Sequence, residues 1–357
     1  MRTPRPARWA PRRTTRPPPP AQTKVETPTV DKLVGEVAAD GSASWQKAAD
    51  AQIGAWVPYR LTGTLPSTWE KFTTYHYAFV DQLDPELEAD PAGVVVELLA
   101  EDGSVARTIT SGFTVAYANN RLTVTTTDLK ALAPEATAAY KVRVSYNARL
   151  VPGKAQAGAA NPADNYVYLE YTEKSDASGL GRTPESRARL LTWSLELDKV
   201  ARSGDKKLAG ARFTLQAANG SYVQADGMLG AEAHEFVSGD DGTATVTGLD
   251  AGAYTLAEVG APAGYSQLEE PIALTITSEL DQESARLGAA TDDSHASVTS
   301  ADAETGTVSV RVANDLAGIF GRLPQTGDVV SFLAIFAVAA AGVLLVAAGV
   351  RRKGRER

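Results

Sequence analysis

Short segments of alternating side-chain character recur along most of this chain. VVVELLA (94–100), ARTIT (106–110), RLTVTTT (121–127), YKVRVSY (140–146) and YVYLEY (166–171) are rich in β-branched and aromatic residues, with Gly, Pro, Asp or Asn at their borders. That is a strand pattern, because a pleated, half-buried surface best accepts branched and flat side chains. LTWSLELDKV (191–200), ARFTLQ (211–216), ATVTGL (244–249), AYTLAEV (253–259), PIALTIT (271–277) and GTVSVRVAN (306–314) repeat it. Strands this short, with turn signals roughly every 8–12 residues, predict an all-β chain of two tandem Ig-like sandwiches. The polar, Gly-containing TEKSDASGLGRTPESR (172–187) predicts the boundary, with one sandwich over 27–175, a linker over 176–190 and a second sandwich over 191–318. SELDQESARLGAATDDSHASVTSADAE (278–304) reads as a long polar loop or extended hairpin. Little is left for helices before residue 329.

Charge is distributed unevenly. The net charge is −8, but residues 1–20 hold six arginines and no acid, and the last seven residues carry a net +4, so residues 21–350 carry −18. An acidic body of this kind argues against nucleic acid and anionic lipid as partners. The chain has no cysteine, so disulfide staples are unavailable. His76, His234 and His295 are isolated and no Cys/His cluster or HExxH occurs, so neither a metal nor a cofactor is expected. Residues 1–26 form a Pro/Arg-rich segment expected to be disordered. It lacks the apolar stretch of a secretory signal.

Near the other end stands RLPQTGDVV, followed by an uncharged apolar run over 329–350 and the basic tail RRKGRER. A helix of those 22 positions would be roughly 33 Å long, enough to cross a bilayer. The tail would stay cytoplasmic under the positive-inside rule, leaving the residues before Leu323 outside. Pentapeptide (Leu323, Pro324, Gln325, Thr326, Gly327), span (329–350) and tail (351–357), in that order, resemble the cell-wall sorting signal of Gram-positive surface proteins. The resemblance implies that residues 319–357 are such a signal. It also implies that sortase cuts between Thr326 and Gly327 and passes the threonyl carbonyl to a peptidoglycan precursor or to a lysine of another pilin subunit. The chain would then be wall-anchored at the cell surface and membrane-spanning only before sorting.

Three polar residues of the second sandwich share faces with apolar neighbours. Lys199 has the parity of Leu195 and Leu197, Asn314 that of Val308, Val310 and Val312, and Glu258 that of Tyr254 and Leu256. Parity leaves two readings open. Each residue sits at a strand end with its head in water, or the three meet, since polar groups on apolar faces are costly when unpaired. If they meet, burial favours a neutral amine beside a protonated acid, and the amine can attack the carboxamide while the acid moves protons and ammonia leaves. The product is a Lys–Asn isopeptide bond between the first strand and the last.

The string LDKV…LAGARFTL…YTLAEVGAPAGY…VAN resembles the Cna B-type (SpaA-like) domain of Gram-positive pilins and collagen adhesins. In that family the first-strand Lys, the Glu of the YxLxE box and the last-strand Asn form this bond, which implies Lys199, Glu258 and Asn314 here. TPTVDKLV (27–34), IGAWVPYRLTGTLP (53–66), YHYAFVDQL (75–83) and NPADNYVYLEY (161–171) resemble the fimbrial isopeptide-forming domain of backbone pilins. That resemblance implies a second bond from Lys32, with Asp81 as the acid and Asn165 as the partner, or Asn161 in its place. The family's usual VYPK-like acceptor motif does not occur, and only Lys24 precedes Lys32.

The expected function is therefore that of a sortase-anchored fimbrial subunit. It is a substrate, not an enzyme, and its only chemistry is single-turnover self-crosslinking. The alternative is a monomeric wall-anchored adhesin whose partner is a host extracellular-matrix ligand. It would need an exposed aromatic groove, for which Trp56, Trp69 and the YHY of 75–77 are the candidates. No GxSxG occurs to suggest a hydrolase.

Overall fold

The computed structural model describes residues 27–38, 41–176 and 178–317. The Pro/Arg-rich segment, the LPQTG pentapeptide and the expected span lie outside the described residues. Among the described residues no helix is long and apolar enough to cross a membrane.

The first sandwich is built from β1 (Val30–Val37), β2 (Ala43–Gln46), β3 (Ala48–Asp50), β4 (Val57–Thr64), β5 (Tyr77–Leu83), β6 (Leu87–Leu99), β7 (Val105–Thr108), β8 (Thr114–Ala118), β9 (Arg121–Thr126), β10 (Lys141–Leu150), β11 (Ala163–Thr172), β12 (Leu180–Arg182) and β13 (Ser186–Leu191). One sheet runs β2-β1-β4-β10-β6-β7 and the facing sheet β3-β13-β11-β5-β9-β8, with β12 added to β11. Strict alternation drives the pairing. In β10 the residues Val142, Val144, Tyr146, Ala148 and Leu150 point inward and their neighbours outward. Trp69, Tyr59, Tyr75, Tyr77 and Phe79 fill the core between the sheets.

The second sandwich comprises β14 (Trp193–Ala201), β15 (Arg212–Ala217), β16 (Tyr222–Val223), β17 (Leu229–Gly230), β18 (Phe236–Val237), β19 (Thr243–Leu249), β20 (Gly252–Gly260), β21 (Ile272–Leu280), β22 (Ala285–Ala290), β23 (Ala296–Asp302) and β24 (Thr307–Asn314). Its sheets run β19-β14-β24-β23 and β17-β16-β15-β20-β21-β22, with β18 on β15. β14 and β24 pair in parallel, an arrangement a hairpin cannot produce and a long connection must. The segment 278–304, expected as a loop or extended hairpin, contains the whole of β22 and β23, which lie along the edges of the two facing sheets.

One expectation needs correction. The linker placed over 176–190 is largely strand: β13 pairs antiparallel with β11 and parallel with β3, and Ala188 and Leu190 sit in the first core. Only Thr192 separates β13 from β14. The two sandwiches consequently pack directly. The Ile53 amide donates to the Gly248 carbonyl at 3.0 Å, the Tyr254 hydroxyl to Gln52 at 3.3 Å, and Arg189 to the Gln282 carbonyl at 3.2 Å. At Gly158, where φ is +97°, a Cβ would stand 2.3 Å from the Glu304 carbonyl oxygen, so a side chain there would force the modules apart.

Candidate functional site

The second sandwich brings Lys199, Glu258 and Asn314 together. β14 carries Lys199 inward beside Leu195 and Leu197, and β24, its parallel neighbour, carries Asn314 inward beside Val312. Glu258 reaches across from β20 of the facing sheet. Lys199 and Asn314 are fully buried and Glu258 is nearly so. The Lys199 ammonium nitrogen donates to Asn314 Oδ1 and lies 3.1 Å from Glu258 Oε1. Asn314 Nδ2 donates to both Glu258 oxygens at 2.9 Å. The Leu268 amide, donating at 2.8 Å, holds Glu258 Oε2 in place. The Phe213 ring walls the pocket, its centroid 5.5 Å from the lysine nitrogen. Burial depresses the Lys199 pKa, with the Glu258 charge opposing. Asn314 is thus gripped at both amide atoms, with its carbonyl facing the amine.

The first sandwich assembles a related but different cluster. Lys32 lies on β1, Asp81 on β5 and Asn165 on β11, all fully buried. β5 and β11 are neighbours in the sheet facing β1. Lys32 donates to Asp81 Oδ1. Burial lowers the Lys32 pKa from 10.5 to about 8, Asp81 opposing, and burial raises the Asp81 pKa. Both directions favour the neutral pair. Asn165 touches neither residue by a hydrogen bond among the described residues. Its Nδ2 donates to the Tyr146 hydroxyl at 2.7 Å, and its Oδ1 is buried without a hydrogen-bond partner. The same hydroxyl donates to Asp81 Oδ2 and lies 3.2 Å from Lys32 Nζ. Asn161, the other partner considered, is exposed in a loop and donates to the Ala157 carbonyl, away from the cluster.

Tyr146 was missed by the sequence reading, although its place on the Val142–Val144 face of YKVRVSY was a usable signal. A phenol on a core face needs a polar partner. Also missed were Glu36, Asp50 and Asp250, whose carboxylates lie within 4.8 Å of one another at the junction of the sandwiches. Trp193 Nε1 donates to Asp50 there. Of the aromatic groove candidates, Trp69, Tyr75 and Tyr77 are core residues, and His76 lies 3.1 Å from Glu170. Trp56 is 45% exposed and covered by the Arg149 guanidinium, 4.5 Å from the ring centroid.

Residues 193–288 match the SpaA prealbumin-like fold domain. The fold aligns with those of solved Gram-positive pilins over 82% of the chain. The pilus 2b backbone protein of group B streptococcus aligns with a TM-score of 0.58 at 20% identity, over 82% of this chain and 98% of that one. The T6 backbone pilin of serotype M6 Streptococcus pyogenes gives 0.55 at 17%, over 82% and 70%. BcpA, the major pilin subunit of Bacillus cereus, gives 0.53 at 18%, over 82% and 71%. At such identities the likeness is one of fold. No curated protein matches the chain in sequence.

Proposed function

We propose that this chain is a sortase-anchored structural subunit of a Gram-positive surface fimbria, its sandwiches closed by self-formed Lys–Asn isopeptide bonds. The observation that carries the proposal is the Lys199–Glu258–Asn314 cluster, in which amine, acid and carboxamide meet in a buried pocket. The shared fold of pilus backbone proteins supports the same reading.

The reaction is an amide exchange. The neutral Lys199 amine attacks Cγ of Asn314, forming the new C–N bond as the bond to Nδ2 breaks. Glu258 polarises the amide, takes the proton released by the attacking nitrogen and delivers one to Nδ2, which leaves as ammonia. Fixed proximity replaces external activation. Lys32, Asp81 and Asn165 take the corresponding parts in the first sandwich. Sortase then cleaves Thr326–Gly327 and joins the chain to a wall precursor or another subunit.

Intact mass of the full chain tests this directly. The folded wild type is expected to lack the mass of two ammonias, and Lys199→Ala and Lys32→Ala of one each. An undiminished wild-type mass overturns the crosslinking reading. Thr326→Ala tests anchoring separately, since the variant should remain in the membrane fraction of cells that carry sortase.

A further inference from the structure

The two clusters differ in how the acid reaches the asparagine. Glu258 touches Asn314 Nδ2 with both oxygens. Asp81 is one methylene shorter and makes no hydrogen bond to Asn165. The gap is filled by the Tyr146 hydroxyl, which donates to Asp81 Oδ2, accepts from Asn165 Nδ2 at 2.7 Å and lies 3.2 Å from Lys32 Nζ. We propose that Tyr146 is a catalytic proton relay for the first-sandwich crosslink, passing the acid's proton to the departing amide nitrogen. The inference rests on the isopeptide reading of that sandwich and adds a residue to it.

The hydroxyl contacts the acid, the attacking nitrogen and the leaving nitrogen, so it stands where a proton must cross. In the reactive state Lys32 is a neutral amine and Asp81 a carboxylic acid. Lys32 Nζ attacks Asn165 Cγ and the bond to Nδ2 breaks. Tyr146 gives its proton to Nδ2 and takes the proton of Asp81 in the same movement. The attacking nitrogen then returns a proton to the Asp81 carboxylate. One ammonia leaves, the phenol and the acid are restored, and no other reactant is consumed. Burial and the neighbouring Asp81 charge raise the Tyr146 pKa far above its ordinary value, so the group acts as a neutral hydroxyl that gives and takes at once, never as a phenolate. Its orientation is fixed by stacking on Tyr59, with ring centroids 5.5 Å apart and planes at 13°. In the second sandwich the aromatic ring beside the lysine is that of Phe213, which has no hydroxyl, and Glu258 needs none.

The test is a time course of ammonia loss, read by mass on the full chain recovered unfolded and then refolded. Tyr146→Phe should lose the second-sandwich ammonia at the wild-type rate and the first-sandwich ammonia roughly 10²–10⁴-fold more slowly, the usual span for removing a general acid–base group. Tyr59→Phe, which removes a buried and unpartnered hydroxyl from the adjoining ring, should behave as wild type. Asp81→Glu combined with Tyr146→Phe should restore the fast loss, because the longer acid reaches Asn165 as Glu258 reaches Asn314. Amide exchange of β10 and β11, compared with crosslink-incompetent Lys32→Ala, reports whether each variant is folded. Loss at the wild-type rate in Tyr146→Phe overturns the relay alone, and so does a folded double variant that remains slow. A wild type that never loses the first-sandwich ammonia overturns the crosslink itself, and the relay with it.

Discussion

The two sandwiches carry the same three residue types in different topologies. In the second, Lys199 and Asn314 lie on adjacent parallel strands of one sheet and the acid arrives from the sheet opposite. In the first, Lys32 is on one sheet while the acid and the asparagine are both on the other. A bond between Lys199 and Asn314 would tie the first strand to the last. A bond between Lys32 and Asn165 would tie sheet to sheet and leave β12 and β13 beyond it. The chemistry needs only that amine, acid and amide converge in a dry core, and a β-sandwich offers more than one pair of strands on which they can do so.

The largest expected difference is mechanical. With the proposed bond in place, a chain pulled from both ends would enter the second sandwich before Lys199 and leave it after Asn314, and the 115-residue step between them would be shielded. In the first sandwich residues 166–191 stay in the line of force. Single-molecule pulling should therefore find little extension from the second sandwich, where only the start of β14 precedes Lys199, and up to roughly 90 Å from those 26 residues of the first, at about 3.3–3.6 Å each. Asn314→Ala should release the second sandwich to unfold over its whole length. Equal extension from both modules in the wild type would erase the distinction.

Next in size is thermodynamic stability. The loops closed by the two bonds, 199 to 314 and 32 to 165, are similar in length, so chain entropy predicts a similar loss of roughly 4–5 kcal/mol when either bond is prevented. Glu258→Gln and Asp81→Asn remove the proton carrier while keeping side-chain size, and denaturant unfolding measures the result. Unequal losses would mean that one bond strains its sandwich more than the other.

A smaller effect concerns pH. The reactive pair, neutral Lys32 beside protonated Asp81, holds one proton that is lost as pH rises through about 8, so the first-sandwich reaction should slow above that value. In Asn165→Ala, which keeps Lys32 but cannot crosslink, stability should rise with pH between about 8 and 10.5, the window in which the unfolded chain holds the extra proton. Refolding on either side of pH 8, followed by mass, checks the first statement, and denaturant titrations check the second.

The smallest effect lies at the junction. Burial, helped by Asp50, raises Glu36 from 4.5 to about 7. The folded state therefore holds this proton more tightly than the unfolded chain. The stability it contributes is full below about 4.5 and fades as pH rises through about 7. Thermal melts should fall by a few degrees across that range, and Glu36→Gln should flatten the dependence. A flat wild-type profile would mean that the junction adds nothing to the cooperativity of the two modules.

How much of this could be read from residues depended on periodicity. LELDKV and VSVRVAN place a lysine and an asparagine on aliphatic faces, and period two made that visible without any partner in view. Lys32, Asp81 and Asn165 had no such mark beyond family likeness, and the parity of Tyr146 with Val142 and Val144 places a phenol on a core face without saying which groups it meets. β13 falls in the expected linker because the polar, Gly-containing stretch 172–187 marks a boundary that runs into it. Arg189 is in fact buried, donating to the Gln282 and Ala159 carbonyls, so the polar face of that strand meets the second sandwich. The Glu36–Asp50–Asp250 group joins residues 200 positions apart, which no local pattern encodes.

The parallel pairing of β14 with β24 has one further consequence, in the order of events if the chain is exported as proposed. A chain emerges from its N-terminal side, so Lys199 would meet Glu258 of β20 first and Asn314 of β24 only after 115 residues have followed. Asn314 stands nine positions before Leu323, where the pentapeptide begins. On the proposed function, the second sandwich would therefore complete itself only as the pentapeptide came within reach of a membrane-held transpeptidase, and the first would have closed earlier. Maturation would be staged along the polypeptide, with the last covalent step within the domain serving as a clock for the first covalent step outside it.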